Sequence, residues 1–336
     1  MSRNPKTSNW LVQVVGRGHR VAFLVTLAAL LSFGAVIGVA WVAGFSEVRH
    51  LLLHPSWPWL GVAVVAETIA YLAYTVAYRE VVRAERGADL DVPTAAALVA
   101  TGFGVFLRAG GFALDREALK RAGLSEADAR ARVLGLGALE YSVLAPATLV
   151  ATVVVLGRDL PISGSLTWPW IIGVPVGAGI ALTALRFKDK LAGRSGWRAR
   201  VGHALRALEL VLQLAGSPRR YGLAFVGIFF YWLGDIACLW AALHAFEVRT
   251  PPVAQLILGY ATGYAITRRA LPLGGAGVVE ALLPFALGWV GIALAPALVG
   301  VFAYRIANLW LPMIPALAGL PALGRIERRA PRPQHP

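Results

Sequence analysis

The sequence predicts an all-α membrane protein that crosses the bilayer several times. Hydrophobic residues make up 57% of the 336-residue chain, only 15% of its residues are charged, and its mean hydropathy is +0.64. Several apolar runs exceed the roughly 18 to 20 residues that a helix needs to cross a bilayer about 30 Å thick. Because the backbone in lipid must satisfy its own hydrogen bonds, these runs are expected to be helices.

Six runs are expected to be complete spans, and two further apolar runs are interrupted by polar residues. The predicted spans are 21–44, 57–82, 133–156, 166–185, 221–246 and 294–320. The interrupted runs are 92–122, which contains LRAGGFALDREALK, and 253–288, which contains TRRALPLGGAGVVEAL. The first span is too long for the core of a signal peptide, so we expect it to be retained. Residues 1–330 are treated as a single transmembrane domain.

Basic residues are concentrated at the N-terminus, in the connector 186–220 and in the tail, and they set the predicted topology. Basic loops face the cytoplasm in membrane proteins, which accounts for the net charge of +14 without nucleic acid as a partner. All three regions lie on that side if each interrupted run returns to the side where it began. We therefore predict two re-entrant helical hairpins and cytoplasmic termini in the cytoplasmic membrane. Two full crossings at either run would give the same topology, but the short arms favour hairpins.

The basic connector contains an amphipathic segment at 196–216. Its apolar residues at helical spacing are Trp197, Val201, Leu205, Leu208 and Leu212. This pattern predicts a helix with one apolar face. The helix is expected either on the surface of an anionic leaflet or packed under the helix bundle.

The two interrupted runs share an ordered series of residues. ATGFGVFLRAGGFALDREAL begins at Ala100, and ATGYAITRRALPLGGAGVVEAL begins at Ala261. Each reads Ala-Thr-Gly-aromatic, then Arg, then Gly-Gly, then Glu-Ala-Leu. With their flanking spans they predict two repeat halves, 57–157 and 219–320. Because the first half starts outside and the second inside, the halves are expected to be inverted, as in many transporters.

Both halves place ionisable residues at the predicted depth of the membrane. A charge at mid-bilayer costs roughly 2.5 to 3.5 kcal/mol on insertion scales, so we expect these residues to meet in a polar cavity between the halves. Gly-Gly breaks expose backbone amides, and the planar guanidinium of arginine suits phosphate. The predicted binding residues are Arg108, Gly110, Gly111, Arg269, Gly274, Gly275, Glu280 and Arg305, and the supporting charges are Glu67, Glu117, Glu140 and Asp235. The alternative is a set of internal salt bridges without a ligand.

Catalytic and metal-binding motifs are not apparent in the sequence. The single cysteine, Cys238, excludes a disulfide framework or a thiolate cluster within one chain. The histidines lack the HExxH spacing of zinc sites, and neither a P-loop nor a GxSxG elbow occurs. Tyr71, Tyr74 and Tyr78 fall at helical spacing and are interpreted as packing residues. No catalytic residue, metal or cofactor is predicted.

The segments LPLGGAGVVEALL and FAYRIANLW resemble the lysylphosphatidylglycerol synthase transmembrane family, the flippase-like domain of the bacterial multiple peptide resistance factor. The residues that carry the resemblance are Pro272, Gly274, Gly275, Gly277, Glu280, Tyr304 and Arg305. RAGGFALDREALKRAGLSEADA in the first half is also similar, although its Gly-Gly lacks the preceding proline. The resemblance extends over about 21–320 and implies lipid translocation, with other members linked to hopanoid, glycolipid or lipid-linked sugar pathways. The family's acyltransferase-like domain is not expected here, so aminoacyl transfer is not implied.

These observations predict a lipid flippase or transporter for an anionic phospholipid or a lipid-linked sugar. Arg108, Arg269 and Arg305 are expected to bind phosphate, while the carboxylates orient the arginines or carry protons. One alternative is an intramembrane lipid-modifying enzyme with Glu280 or Glu140 as its general base. Another is a scaffold subunit for a separate synthase or glycosyltransferase.

Overall fold

Helices make up most of the computed structural model, which describes residues 18–107, 110–158, 160, 162–191, 193, 196–264, 272–323 and 326. The helices are α1 (Gly18–Ala43), α2 (Phe45–Leu53), α3 (Trp57–Arg83), α4 (Val92–Gly102), α5 (Gly110–Arg121), α6 (Glu126–Gly157), α7 (Gly164–Arg186), α8 (Lys188–Leu191), α9 (Gly196–Gly216), α10 (Pro218–His244), α11 (Val253–Tyr264), α12 (Val278–Trp289), α13 (Leu294–Arg305) and α14 (Met313–Leu323). The short segments Ala84–Arg86 and Pro272–Gly275 are 3₁₀ turns, and Ile306–Trp310 is a π-helical turn. No strand occurs in these ranges, and the predicted all-α fold is confirmed.

The predicted spans are confirmed as six helical segments, within the described ranges, that are long and apolar enough to cross a membrane. They are α1, α3, α6, α7, α10 and the segment Leu294–Pro321, which runs from α13 through the π-helical turn into α14. The largest difference from the predicted bounds is at α6, which begins at Glu126 rather than at 133. Ser125 caps this helix through a hydrogen bond from Asp128 N to Ser125 Oγ at 3.1 Å, so the helix starts before its apolar run. The chain is therefore a multi-pass membrane protein.

Helices α3 and α10 pack against each other as an antiparallel pair. The ring of Trp59, near the start of α3, lies 5.2 Å from that of Trp240, near the end of α10. Nearer the middle of the pair, a Cβ atom on Gly227 would lie 2.6 Å from the carbonyl oxygen of Ala73. Small residues allow helices in membranes to approach this closely. The two backbones are thus in direct contact at the centre of the fold.

Each interrupted run contains two short helices, and no α-helix lies between them in the described ranges 103–107 and 272–277. In the first pair, α4 and α5 meet where a Cβ atom on Gly111 would lie 2.3 Å from Gly102 O. In the second pair, α11 and α12 meet where a Cβ atom on Gly263 would lie 2.8 Å from the Ala286 Cβ. Helices of 11 or 12 residues are about 16 to 18 Å long, roughly half the thickness of the apolar bilayer. Their re-entry into the membrane from one side stays a prediction.

The order long, short, short, long occurs twice along the chain, in α3–α6 and again from α10 to the end of α14. The first short helix of each set packs on the last long segment of the other set. Helix α4 packs on α14, and α11 packs on α6. In an inverted repeat, the two sets of helices exchange contacts in this way, and their first helices run antiparallel, as α3 and α10 do. The repeat halves 57–157 and 219–320 nevertheless stay a prediction.

The amphipathic segment of the connector forms α9, which packs under the bundle against α6. A Cβ atom on Gly135 of α6 would lie 2.9 Å from a methyl group of Leu210. The buried residues of α9 are Leu205, Ala207, Leu210, Val211 and Leu214. From the predicted apolar face, Leu205 is buried, whereas Trp197 and Leu212 are 64% and 46% exposed. The helix therefore packs on α6 partly through a neighbouring face, and its position relative to a leaflet stays a prediction.

Candidate functional site

The second helix pair contains a glycine-rich turn that fixes the position of one acid. The backbone φ angles are +58° at Leu273, +61° at Gly274 and +84° at Gly277, in the left-handed region that glycine adopts most readily. Glu280, the third residue of α12, accepts a hydrogen bond from Gly277 N through Oε2 at 2.8 Å. This bond satisfies an amide at the helix start that no carbonyl within the helix can reach.

Glu280 forms a buried ion pair with Arg305 from α13. Arg305 Nε donates to Glu280 Oε1 at 3.0 Å, and both side chains are 1% exposed. Ser32 of α1 donates to the same oxygen at 2.8 Å. Arg305 Nη2 also donates to the carbonyl oxygen of Gly274 at 3.1 Å. The structure therefore brings together three of the predicted binding residues, Gly274, Glu280 and Arg305.

Asn308 connects this ion pair to carboxylates on α3 and α10. It lies in the π-helical turn and is 1% exposed. Its Nδ2 donates to Glu67 Oε1 at 2.9 Å and to Asp235 Oδ1 at 2.6 Å. Its Oδ1 accepts from Tyr264 at 3.1 Å and from Arg305 Nη1 at 3.4 Å. π-Helical turns occur frequently at functional sites, and this one places a single amide between carboxylates of α3 and α10.

Tyrosine hydroxyls surround Asp235, which is fully buried. Tyr304 donates to both carboxylate oxygens at 3.1 Å, and Tyr260 donates to Oδ2. Hydrogen bonds of this kind stabilise a buried carboxylate far from water. We call the connected group Glu67, Asp235, Glu280, Arg305 and Asn308 the central cluster.

The central cluster holds more acids than bases. Among the residues that the structure describes, it contains three carboxylates (Glu67, Asp235 and Glu280) and one guanidinium, that of Arg305. A buried carboxylate is stable only where hydrogen bonds or opposite charges offset its loss of water, so each of the three acids depends on the contacts around it.

Glu140 of α6 lies in a second set of contacts. Its Oε1 accepts a hydrogen bond from Tyr74 at 2.5 Å, and its backbone carbonyl accepts one from the Trp232 indole at 3.0 Å. Tyr74 is fully buried and its ring packs against Tyr231, with 4.8 Å between the centroids. This supporting charge is thus held by aromatic side chains of α3 and α10.

Other predicted site residues lie away from the central cluster or outside the described residues. Glu117 pairs with Arg121 at 3.0 Å and with Lys120 at 3.3 Å on its own helix, and is not brought to the cluster. Gly110 and Gly111 begin α5, and Gly275 lies in the glycine-rich turn with φ +73°. Arg108 and Arg269, together with Arg268, lie outside the described residues.

The sequence interpretation missed the polar role of several side chains. Tyr71, Tyr74 and Tyr78 were assigned to packing, but each hydroxyl donates to a polar acceptor. Tyr71 donates to Asn308 O at 3.1 Å, and Tyr78 donates to Asp115 at 3.3 Å. Their common face on α3, with Glu67 one turn earlier, was the available signal. Asn308 was a second signal, because a polar side chain inside an apolar span usually has a function.

Two cavities lie beside the central cluster. The larger, of about 320 Å³, is bounded by α3, α4 and the segment after the π-helical turn. We call it the lateral cleft, since Val64, Leu72 and Leu311 along it are 41%, 60% and 39% exposed on the apolar surface. Glu67 and Tyr71 also line it.

The smaller cavity, which we call the inner cavity, lies deeper in the molecule. Its lining includes Tyr71, Phe103, Tyr264, Arg305 and Asn308. It is therefore in contact with the central cluster, and its walls offer guanidinium, amide and hydroxyl groups. The lateral cleft, by contrast, is mainly apolar. The pair of cavities thus places an apolar surface and a polar one next to each other.

The comparison with protein families gives one match. The family described as Lysylphosphatidylglycerol synthase TM region matches residues 24–316, which include the central cluster and both helix pairs. No curated protein matches the chain. The resemblance carried by the second glycine-rich turn and by Tyr304 and Arg305 is confirmed, and the chain belongs to the lysylphosphatidylglycerol synthase transmembrane family.

Proposed function

We propose that this protein moves a lipid with a polar headgroup across the cytoplasmic membrane, with both of its termini on the cytoplasmic side. One observation carries the proposal: a buried ionic cluster lies beside a cleft that opens on the apolar surface of the bundle. A lipid combines the same two chemistries in one molecule. Membership of a membrane-domain family is compatible with this role.

The lateral cleft suits the apolar part of such a substrate. Its volume of about 320 Å³ is at the lower end of the range of ligand pockets, roughly 300 to 1,000 Å³. The exposed side chains along it are those that lipid tails cover in a membrane. An acyl chain lying in the cleft would bring its headgroup towards Glu67 and Tyr71.

The central cluster suits the headgroup and the protons that accompany it. Arg305 already donates to Glu280, Asn308 and Gly274, so it binds a phosphate by exchanging one of these partners. We assign the remaining phosphate contacts to Arg108 and Arg269. Protonation of Glu67 or Asp235 would change the charge of the cluster and hence its preference for an anionic phospholipid or a lipid-linked sugar.

The test measures lipid movement in proteoliposomes that contain fluorescent phosphatidylglycerol, with fluorescent phosphatidylcholine as the comparison lipid. Dithionite bleaches the outer leaflet, so later loss of fluorescence reports lipid arriving from the inner leaflet. Wild-type protein is expected to move phosphatidylglycerol faster than protein-free vesicles do. Glu67→Gln is expected to slow this movement at least about tenfold, which corresponds to roughly 1.4 kcal/mol of barrier.

Glu126→Gln serves as the matched control, because Glu126 is an exposed acid that pairs with Lys120 at 3.0 Å. Equal rates for Glu67→Gln and wild type, at equal protein folding, would remove the central cluster from the mechanism. Equal rates for Arg269→Ala and wild type would likewise remove Arg269 from the mechanism. A changed lipid product in the same vesicles would favour an intramembrane enzyme, and normal lipid physiology after neutralising the cluster would favour a scaffold.

A further inference from the structure

The lateral cleft and the inner cavity share one wall residue. Tyr71 lines both cavities, whereas Leu72 and Leu311 line only the cleft, and Phe103 and Leu309 line only the inner cavity. The aromatic ring of Tyr71 therefore stands between the apolar surface and the arginine and amide groups of the central cluster.

Two of the contacts of Tyr71 orient its ring. The Tyr71 hydroxyl donates to the carbonyl oxygen of Asn308 at 3.1 Å. The ring packs edge to face against Phe103, with 5.2 Å between the centroids and an interplanar angle of 74°. Edge-to-face aromatic pairs are favourable and directional, so they define the orientation of both rings. One contact ties the ring to the π-helical turn, and the other ties it to the break between α4 and α5.

Phe103 belongs to a short described segment that lies outside the helices. It directly follows α4, which ends at Gly102, and precedes Gly104, Val105, Phe106 and Leu107 in a non-helical segment. Residues that absorb large φ and ψ changes are found at the ends of elements such as this. A movement of the segment would take the Phe103 ring away from Tyr71.

We infer that Tyr71 and Phe103 form a gate between the lateral cleft and the inner cavity. In the described conformation the gate is closed, and the two cavities are separated by the aromatic pair. Rotation of Tyr71 away from Phe103 joins them into one path from the apolar surface to Arg305 and Asn308. The passage of a lipid headgroup along this path rests on the proposed function, whereas the barrier itself does not.

The gate assigns separate roles to the ring and to the hydroxyl of Tyr71. The ring blocks the path, and the hydroxyl holds the ring closed through Asn308 O. Tyr71→Ala is therefore expected to open the path permanently. Tyr71→Phe keeps the block and removes only the hydrogen bond, so it is expected to open the path more often but not permanently.

The test uses the reaction of an introduced thiol with N-ethylmaleimide in liposomes. Cys238 is the only cysteine of the chain, so Cys238→Ser gives a background without thiols. Leu309→Cys in that background reports on the inner cavity, where the neighbouring Arg305 favours the reactive thiolate. Leu311→Cys reports on the lateral cleft.

Adding Tyr71→Ala is expected to accelerate the labelling of Leu309→Cys at least about tenfold, whereas Leu311→Cys keeps its rate, because only the inner thiol lies behind the ring. Tyr71→Phe is expected to give an intermediate rate. Leu72→Ala is the matched control, since this exposed side chain lines only the cleft, and it should leave both rates unchanged.

Equal labelling of Leu309→Cys with and without the Tyr71 ring would overturn the gate. Acceleration of both reporters by Tyr71→Ala would also overturn it, because it would indicate a general loosening of the fold. The labelling needs no transported lipid. Gated labelling without lipid movement would therefore support the gate and contradict the proposed function. Lipid movement without gated labelling would support the proposed function and contradict the gate.

Discussion

Glu117 and Glu280 occupy matching places in the two helix pairs, each followed by Ala-Leu, yet their environments differ. Glu117 keeps 28% of its side chain exposed and pairs with Arg121 on the same helix. Glu280 is 1% exposed and pairs with Arg305 from another helix. The Glu117–Arg121 ion pair forms within a single helix, whereas the Glu280–Arg305 ion pair forms only when separate helices pack together. A shared sequence pattern thus gave two helix pairs of similar shape and different chemistry.

The breaks inside the two helix pairs differ in the same way. The described part of the first break, 103–107, is apolar, and Phe103, Phe106 and Leu107 within it are buried. The second break contains Gly274 and Gly277, whose backbone groups bond to Arg305 and Glu280. The first pair therefore contributes an aromatic wall, and the second contributes an ionic site. The predictions below test this division of roles.

The largest expected effect comes from neutralising the two matching glutamates. Glu280→Gln leaves Arg305 buried without its counter-charge, and we expect a loss of about 3 to 5 kcal/mol in the free energy of unfolding. Glu117→Gln removes a partly exposed pair within one helix, and we expect about 0 to 1 kcal/mol. Unfolding in mixed detergent micelles measures both values. Similar losses for the two variants would show that the two glutamates are equivalent after all.

A smaller effect is expected at one glycine from each Gly-Gly pair. A Cβ atom on Gly111 would meet the Gly102 carbonyl at 2.3 Å, and we expect Gly111→Ala to cost about 1 to 3 kcal/mol. At Gly274 the nearest atom is a methyl group of Leu309 at 2.8 Å, and the main penalty is φ +61°, which costs about 1 to 2 kcal/mol.

The control for both glycines is Gly137→Ala, since its nearest atom lies at an ordinary 3.6 Å. Gly111→Ala should be the more harmful change, because a backbone carbonyl cannot turn aside as a leucine methyl group can. The free energies of unfolding of the three variants, measured in the same assay, test whether Gly111→Ala is the more harmful change. A greater loss at Gly274 would place the tighter backbone constraint in the second pair.

The smallest effect is expected within the ionic site itself. Tyr304→Phe removes one donor from Asp235, which still accepts hydrogen bonds from Tyr260 and Asn308. We expect a loss of about 0.5 to 1.5 kcal/mol, the usual net value of one hydrogen bond. Asn308→Ala should cost more, because it takes a donor from both Asp235 and Glu67. Equal costs would mean that Asn308 does not connect the two acids energetically.

The long helices and part of the site could be predicted from the sequence. Span length follows directly from apolar runs, which is why α1, α3, α7 and α10 agree with the predicted bounds to within a few residues. Gly274, Glu280 and Arg305 could be placed together because helix breakers and charges are both costly in a membrane, and each reduces the cost of the other.

The remainder depends on contacts between helices, which periodicity does not encode. Asn308 meets Glu67 across 241 positions of the chain, and only the crossing of α3 with the π-helical turn brings them together. Glu117 carries the same local pattern as Glu280, so its location away from the cluster could not be read from that pattern. The Tyr71 face was interpreted as packing because a tyrosine can both pack through its ring and donate a hydrogen bond through its hydroxyl. The hydrogen bond becomes evident only when its acceptor is known.

The π-helical turn at Ile306–Trp310 also sets the rotational phase of the last part of the chain. Leu311 N bonds to Ile306 O at 2.9 Å, five positions back, so this turn contains one residue more than an α-helical turn. One residue corresponds to about 100° around a helix axis. A single-residue deletion here would rotate Ala316 and Gly319 away from the surface of α4. The length of this short segment therefore constrains the fold in addition to the identity of Asn308 within it.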